Sequence, residues 1–188
     1  QHTRRFIRCF WALDTELANA RHYPAIHWLH SYSEYVEDIS GWWEGQAPDW
    51  AALRTEAITL LQREDRLQQI VRLVGPDVLP ESQRLVLFVA ELLKDGFLAQ
   101  SAFDDKDAYC TPERQIALLR ILLMLYREGH ALVESGVPLA SIRALPCVPL
   151  VMRAKSAHGN DEMEALEALQ RRVRQELAGL AKAPEAAP

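Results

Sequence analysis

One stretch, residues 111–134, restricts the fold more than any other part of the sequence. It opens with Thr-Pro-Glu, which is typical of a helix start because threonine caps the first turn and proline fits the first helical position. A helix that is apolar around its circumference must be surrounded by other elements. The sequence therefore predicts a helical bundle with this helix at its centre. Its apolar positions are Ile116, Leu118, Leu119, Ile121, Leu122, Leu123 and Leu125.

Helical periodicity recurs along most of the chain. Asp49 is expected to cap a long amphipathic helix, and Gly75-Pro76-Asp77 is a sharp stop between two helices that form a hairpin. A loop is expected at 97–109 and an irregular linker at 137–149. Further helices are predicted at residues 31–43, 50–74, 80–94 and 160–180.

The first segment does not fit a helical pattern. Residues 4–13 are rich in Phe, Ile, Cys and Trp and indicate a buried strand. In an otherwise helical chain this strand is an orphan, and a lone strand leaves its backbone groups unpaired. The predicted fold class is mainly α, a helical bundle with one short orphan N-terminal strand. We expect residues 1–13 to end a sheet-containing domain, 14–180 to form the bundle and 181–188 to be a disordered tail.

Composition excludes several classes of protein. The 188 residues are 49% hydrophobic and 25% charged with a net charge of −5, the balance of a globular protein. Nucleic-acid binding is not expected, because it needs clustered Lys and Arg. No apolar run reaches the roughly 20 residues of a membrane helix, so no direct membrane insertion is expected. The three widely spaced cysteines indicate reduced thiols.

Motifs for independent catalysis are missing from the sequence. No glycine is followed by lysine, so there is no phosphate-binding loop, and no Gly-x-Ser-x-Gly elbow occurs. We therefore expect no catalytic residue and no metal site in this chain. His27 and His30 could share a metal, but no further ligand is obvious. Asp104, Asp105 and Asp107 lack the glycine and glutamate of a calcium loop and are expected to be solvated turn residues.

Several strings, in order, resemble the catalytic A (alpha) subunit of V/A-type rotary ATPases. The resemblance extends from about Arg4 to Arg153. Six strings in the same order and spacing make it specific. The strings are CFWALD (9–14), HYPAIHWL (22–29), LQQIVRLVGPD (67–77), FLAQSAF (97–103), DAYC (107–110) and GVPL (136–139).

The resemblance implies a helical bundle beneath a nucleotide-binding domain whose last strand is residues 4–13. It implies ATP hydrolysis or synthesis coupled to proton or sodium transport, with ATP or ADP and Mg²⁺ bound by the full-length subunit. The catalytic residues would lie upstream, so the fragment alone is expected to be inactive and to hold no nucleotide tightly. The implied partners are B (beta) subunits and central stalk subunits, in the cytoplasmic head at the membrane.

Two local roles also follow from the resemblance. Part of the adenine pocket would be formed by Tyr23, which stands where the family has Phe, with Ala102 and Phe103. The alternative is that all three are core residues of their loops. The hairpin turn resembles the lever loop that pushes on the central stalk; without the resemblance it would be an ordinary helix connection. The rotor-contact residues would be Gly75, Pro76, Asp77, Val78, Leu79, Pro80 and Glu81.

Two departures limit the resemblance. Thr111 is inserted before the family's proline, and residues 145–149 replace a more charged stretch, which weakens inferences beyond Leu145. Trp42, Trp43 and Trp50 could form a binding surface, although core packing is the stronger expectation. A standalone helical interaction module without catalytic activity remains the alternative function.

Overall fold

The computed structural model describes residues 7–182. Residues 1–6 and 183–188, which include part of the expected strand and most of the expected tail, lie outside the described residues. The mainly α class is confirmed. In chain order the elements are β1 (Cys9–Phe10), α1 (Thr15–Asn19), β2 (Tyr32–Ser33), α2 (Val36–Gln46), α3 (Trp50–Val74), α4 (Glu81–Leu93), α5 (Pro112–Glu134), α6 (Leu139–Arg143), α7 (Val148–Ala157) and α8 (Met163–Lys182).

Helix α5 is the central element of the bundle, as predicted. It packs against α8, α4, α3, α7 and α2. Thr111 is its N-cap, with the hydroxyl accepting from the Arg114 amide at 3.4 Å, and Pro112 opens the helix. Leu123 and Leu125 have no exposed surface. The all-round apolar pattern therefore reports on burial by neighbours on several sides.

Helices α3 and α4 form the predicted hairpin, and the predicted bounds of α3 are confirmed. Gly75 ends α3 with φ of 82°, a backbone conformation that glycine adopts easily. A 3₁₀ turn, Pro76–Val78, joins the two helices. Asp49 does not cap α3 with its side chain. Its carboxylate instead accepts hydrogen bonds from the Arg120 guanidinium of α5, 3.0 Å from Nε, and this pair ties the two helices together.

The expectation of an orphan strand was wrong. Cys9 and Phe10 pair antiparallel with Tyr32 and Ser33, so the described part of the strand has its partner within this chain. The helix predicted at 31–43 consequently begins only at Val36, because residues 32–33 belong to the sheet. Whether residues 1–13 also end a neighbouring domain stays a prediction.

The C-terminal third is more regular than its prolines suggested. The expected irregular linker at 137–149 contains α6 and the start of α7, where a proline lies in the first turn. Helix α8 continues through Ala181 to Lys182, which are the first two residues of the expected tail. Among residues 7–182, no helix is long and apolar enough to cross a membrane.

Candidate functional site

Tyr23 and Phe103 place two aromatic side chains on the surface. Tyr23 is 54% exposed, Phe103 is fully exposed, and Ala102 beside it is also exposed. The Gln100 amide donates to the Tyr23 carbonyl at 2.6 Å, so the two loops adjoin. The interpretation that these residues belong to a core is therefore wrong. Exposed aromatic faces on adjoining loops are suited to stacking against a flat ring.

A buried carboxylate, that of Asp107, binds the backbone of the loop that carries Phe103. Asp107 is buried, and its Oδ2 accepts from the Ser101 amide at 2.8 Å. The Lys155 ammonium of α7 lies 3.3 Å from the same oxygen and also donates to the Ala99 carbonyl. The expectation that Asp107 is a solvated turn residue was wrong, because α7 covers it.

Arg114 in the first turn of α5 is fully buried and binds the backbone at the C-terminal end of this loop. Its guanidinium donates to the Lys106 carbonyl at 2.6 Å and to the Tyr109 carbonyl at 3.4 Å. A third bond goes to the Lys155 carbonyl of α7. One guanidinium thus donates to three backbone oxygens from two segments. Its planar group of five N–H donors makes this possible.

The turn between α7 and α8 closes the same region. Asn160 accepts from the Thr111 amide at 2.9 Å and donates to the Tyr109 carbonyl at 3.1 Å. Lys106 pairs with Glu162 at 2.7 Å. The turn therefore holds both the loop and the start of α5.

Tyr23 is positioned by the segment that precedes α2. Its neighbour His22 is buried against Trp28, with ring centroids 5.6 Å apart. Burial lowers the pKa of His22, and Asp95 opposes that shift only in part. Lys94 of the π-helical turn that follows α4 lies 5.5 Å above the Trp28 ring and pairs with buried Glu64 of α3 at 2.7 Å. The Tyr23 segment is thereby docked on the hairpin helices.

The hairpin tip exposes apolar side chains. Leu73 and Val78 are 85% and 67% exposed, and Val74 is about half exposed. Leu79, expected at the rotor contact, is buried instead. A carboxylate oxygen of Glu81 accepts from the Leu139 amide at 3.1 Å, so this acidic group stabilises the start of α6.

The remaining rotor-contact candidates form the turn itself. Gly75 is partly exposed, while Pro76, Asp77 and Pro80 are exposed. All candidate residues of the lever loop thus lie at one end of the hairpin. Among them, Val78 has an exposed aliphatic side chain, whereas that of Leu79 is buried.

The histidine pair is engaged locally. His27 and His30 stack with ring centroids 3.8 Å apart. The Nδ1 atom of His27 accepts from the amides of Leu29 and His30 at 3.2 and 3.3 Å. Within the part of the chain that is described, no group of three or more His, Cys, Asp or Glu side chains could hold a metal ion.

Sequence reasoning missed Arg114, Lys155 and Leu73. Arg114 follows a Thr-Pro-Glu helix start, where a first-turn residue is usually solvated, and only packing by α7 buries it. Lys155 lies on the last turn of a short helix, and lysine side chains are mostly exposed in proteins. Leu73 lies on the face of α3 opposite the stripe that the other helices cover, and its side chain is therefore exposed.

Comparison with known proteins places this architecture in a family. Residues 40–143, more than half of the chain, match the model of the C-terminal domain of V and A type ATP synthase. The chain belongs to this family.

Relatives of known name agree with the match. The V-type ATP synthase alpha chain of Halothermothrix orenii is 47% identical over 174 residues, which cover 92% of this chain and 30% of the relative. The A subunit of the A-type ATP synthase of Ignicoccus hospitalis is 46% identical over 95% of this chain and 30% of its own length. The chain thus spans about 30% of these relatives. The match over 95% of the chain extends beyond Leu145, whereas the match to the family model ends at residue 143.

Proposed function

We propose that this chain is the C-terminal part of a catalytic A subunit in a V/A-type rotary ATPase, where Tyr23, Ala102 and Phe103 contact the adenine ring. The observation that supports the proposal is the full exposure of Phe103 on a loop that is hydrogen-bonded to the Tyr23 segment. Exposed aromatic side chains on anchored loops suit a planar ligand because little conformational entropy is lost on binding.

The chain would supply only the base-contact part of a nucleotide site. It has no phosphate-binding motif, so the phosphates of ATP and the Mg²⁺ ion would be held by residues outside it. The whole subunit would hydrolyse or synthesise ATP together with B subunits, coupled to proton or sodium movement, in the cytoplasmic head at the membrane. This chain alone is expected to bind nucleotide weakly and to turn over none.

Replacing Phe103 with alanine tests the adenine contact. In the full-length protein, assembled with its partners, we expect KM for ATP to rise roughly 5- to 150-fold, since stacking is worth about 1–3 kcal/mol per base. The maximal rate should change little, because the phosphates are held elsewhere. Steady-state hydrolysis at varied ATP concentration measures both parameters.

Tyr109→Ala is the matched control for this variant, because Tyr109 is another exposed aromatic side chain of the same loop. Thermal melts of the chain should show that both variants fold as well as the parent, since surface substitutions usually change stability by less than about 0.5 kcal/mol. An equal KM in the two variants would show that Phe103 does not contact the base.

A second part of the proposal concerns the hairpin tip. We infer that Leu73, Val74 and Val78 touch the central stalk and that α3 and α4 act as a rigid lever. Exposed apolar side chains at the end of a well-packed hairpin support this role, because such a hairpin can transmit a movement as a rigid body. Because the Glu81 carboxylate already accepts from α6, the contact between the lever and the stalk would depend more on apolar side chains than on charge.

The double variant Leu73→Ser/Val78→Ser tests the lever. In the assembled complex we expect ATP hydrolysis to continue while ion transport per ATP falls, because loss of two apolar contacts weakens stalk binding by about 1–2 kcal/mol. The ratio of transported ions to hydrolysed ATP is the measurement. Ile70→Ser, which changes a half-exposed residue of the same helix one turn before Leu73, is the control. An unchanged ratio in the double variant would contradict the lever contact.

A further inference from the structure

The loop that carries Phe103 has little regular structure of its own. Between the π-helical turn that ends at Leu98 and the start of α5, residues 99–111 make only short-range turns. A loop of this kind is normally mobile unless outside groups tie its backbone down. In this chain three of the groups that hold the backbone are charged side chains with little exposed surface, namely Asp107, Arg114 and Lys155.

One of these ties lies close to Phe103. Ser101, two residues before Phe103, donates its amide to Asp107, and Asp107 faces the ammonium of Lys155. Lys155 also donates to the Ala99 carbonyl at the start of the loop. The Asp107–Lys155 pair therefore connects both ends of the 99–107 segment to α7.

This pair is a poor device for stability alone. Removing two charges from water costs nearly as much as their attraction returns, so well-packed apolar residues of similar size would stabilise a fold as well or better. The pair does fix the orientation of the loop backbone, because the carboxylate accepts from one amide and the ammonium donates to one carbonyl. Its geometry is thus suited to holding a backbone in one conformation.

We propose that Asp107 and Lys155 are positioning residues that set nucleotide affinity by fixing the orientation of the Phe103 loop. The inference rests on the proposed adenine contact. It gives α7, which lies beyond the segment matched to the family model, a role in the nucleotide site. The ligand class is a purine nucleotide, and the two residues act on it only through the loop.

Hydrogen exchange on the full 188-residue chain tests the positioning step without any nucleotide. In Asp107→Asn we expect the amides of residues 101–109 to exchange about tenfold faster or more, because a charged acceptor is lost. The amides of α4 should keep their protection. The matched control is Asp105→Asn, since Asp105 is an exposed aspartate two residues away on the same loop. Equal protection in both variants would overturn the inference.

Kinetics of the assembled full-length protein separate positioning from a merely structural role. Asp107→Asn and Lys155→Met should raise KM for ATP about fivefold or more with a nearly constant kcat, since a misplaced loop weakens base stacking. The double variant Asp107→Leu/Lys155→Met removes both charges and is expected to recover thermal stability. Its KM should stay high, because the Ser101 amide still lacks its acceptor.

The outcomes distinguish the two proposals. A KM that recovers together with the melting temperature in the double variant would show that the pair is merely structural and would overturn the inference. Faster loop exchange with an unchanged KM, while Phe103→Ala does raise KM, would also overturn it. If Phe103→Ala itself leaves KM unchanged, the adenine contact fails, whereas loop exchange still reports on the Asp107–Lys155 pair.

Discussion

Replacing Arg114 with methionine is expected to lower the free energy of unfolding by about 2–6 kcal/mol, because buried backbone carbonyls lose a charged hydrogen-bond donor. Methionine retains most of the side-chain volume but none of the donors. The carbonyl groups of Lys106, Tyr109 and Lys155 would then lose their guanidinium partner. The Tyr109 carbonyl keeps the Asn160 amide as a donor. A buried carbonyl without a partner costs about 1–3 kcal/mol, so the loss at Lys106 and Lys155 should make the loop open to regain water. Urea unfolding followed by circular dichroism measures the loss.

The matched control for Arg114 is Arg171→Met on α8. Arg171 is mostly exposed and forms a long ion pair with Glu167 at 3.8 Å. Such surface pairs contribute about 0–1 kcal/mol, so this variant should be close to the parent. Arg114→Lys should recover little stability, since one ammonium cannot reproduce the fork that reaches three carbonyls. Similar unfolding curves for Arg114→Met and Arg171→Met would contradict the role of the buried network.

The second large effect is expected in the bundle core. Leu123 has no exposed surface. It lies on α5, the helix that packs against five other helices of the bundle. Leu123→Ala removes buried methyl groups and leaves a cavity, so we expect a loss of about 2–5 kcal/mol. For a chain of this length that corresponds to a fall in melting temperature of roughly 4–20 °C. Differential scanning calorimetry gives the value.

Leu73→Ala is the control for the core variant, because the substitution is the same and the site is 85% exposed. It should change stability by less than about 0.5 kcal/mol. A large loss at Leu73 would mean that the hairpin tip is covered in the folded chain, and it would also argue against the lever surface. A small loss at Leu123 would contradict the central place of α5.

Part of the site was accessible from the sequence and part was not. Tyr23, Ala102 and Phe103 came from a resemblance between strings, and their proximity is supported by the bond between Gln100 and Tyr23. Their exposure could not be foreseen, because exposure in a loop depends on which other elements pack against it. The support beneath them was missed, since Asp107 and Lys155 are far apart along the chain and meet only when α7 packs beside the loop.

By itself the sequence determined the mainly α class, the central place of α5 and the bounds of α3. These features depend on apolar periodicity, helix caps and the Gly75 stop, which act within a few residues along the chain. Only the tertiary structure decided that β1 pairs with β2, that Leu79 is buried, and that Arg114 is covered by α7. Those outcomes depend on contacts between segments distant in sequence, where burial and hydrogen-bond partners are set by packing and not by local pattern.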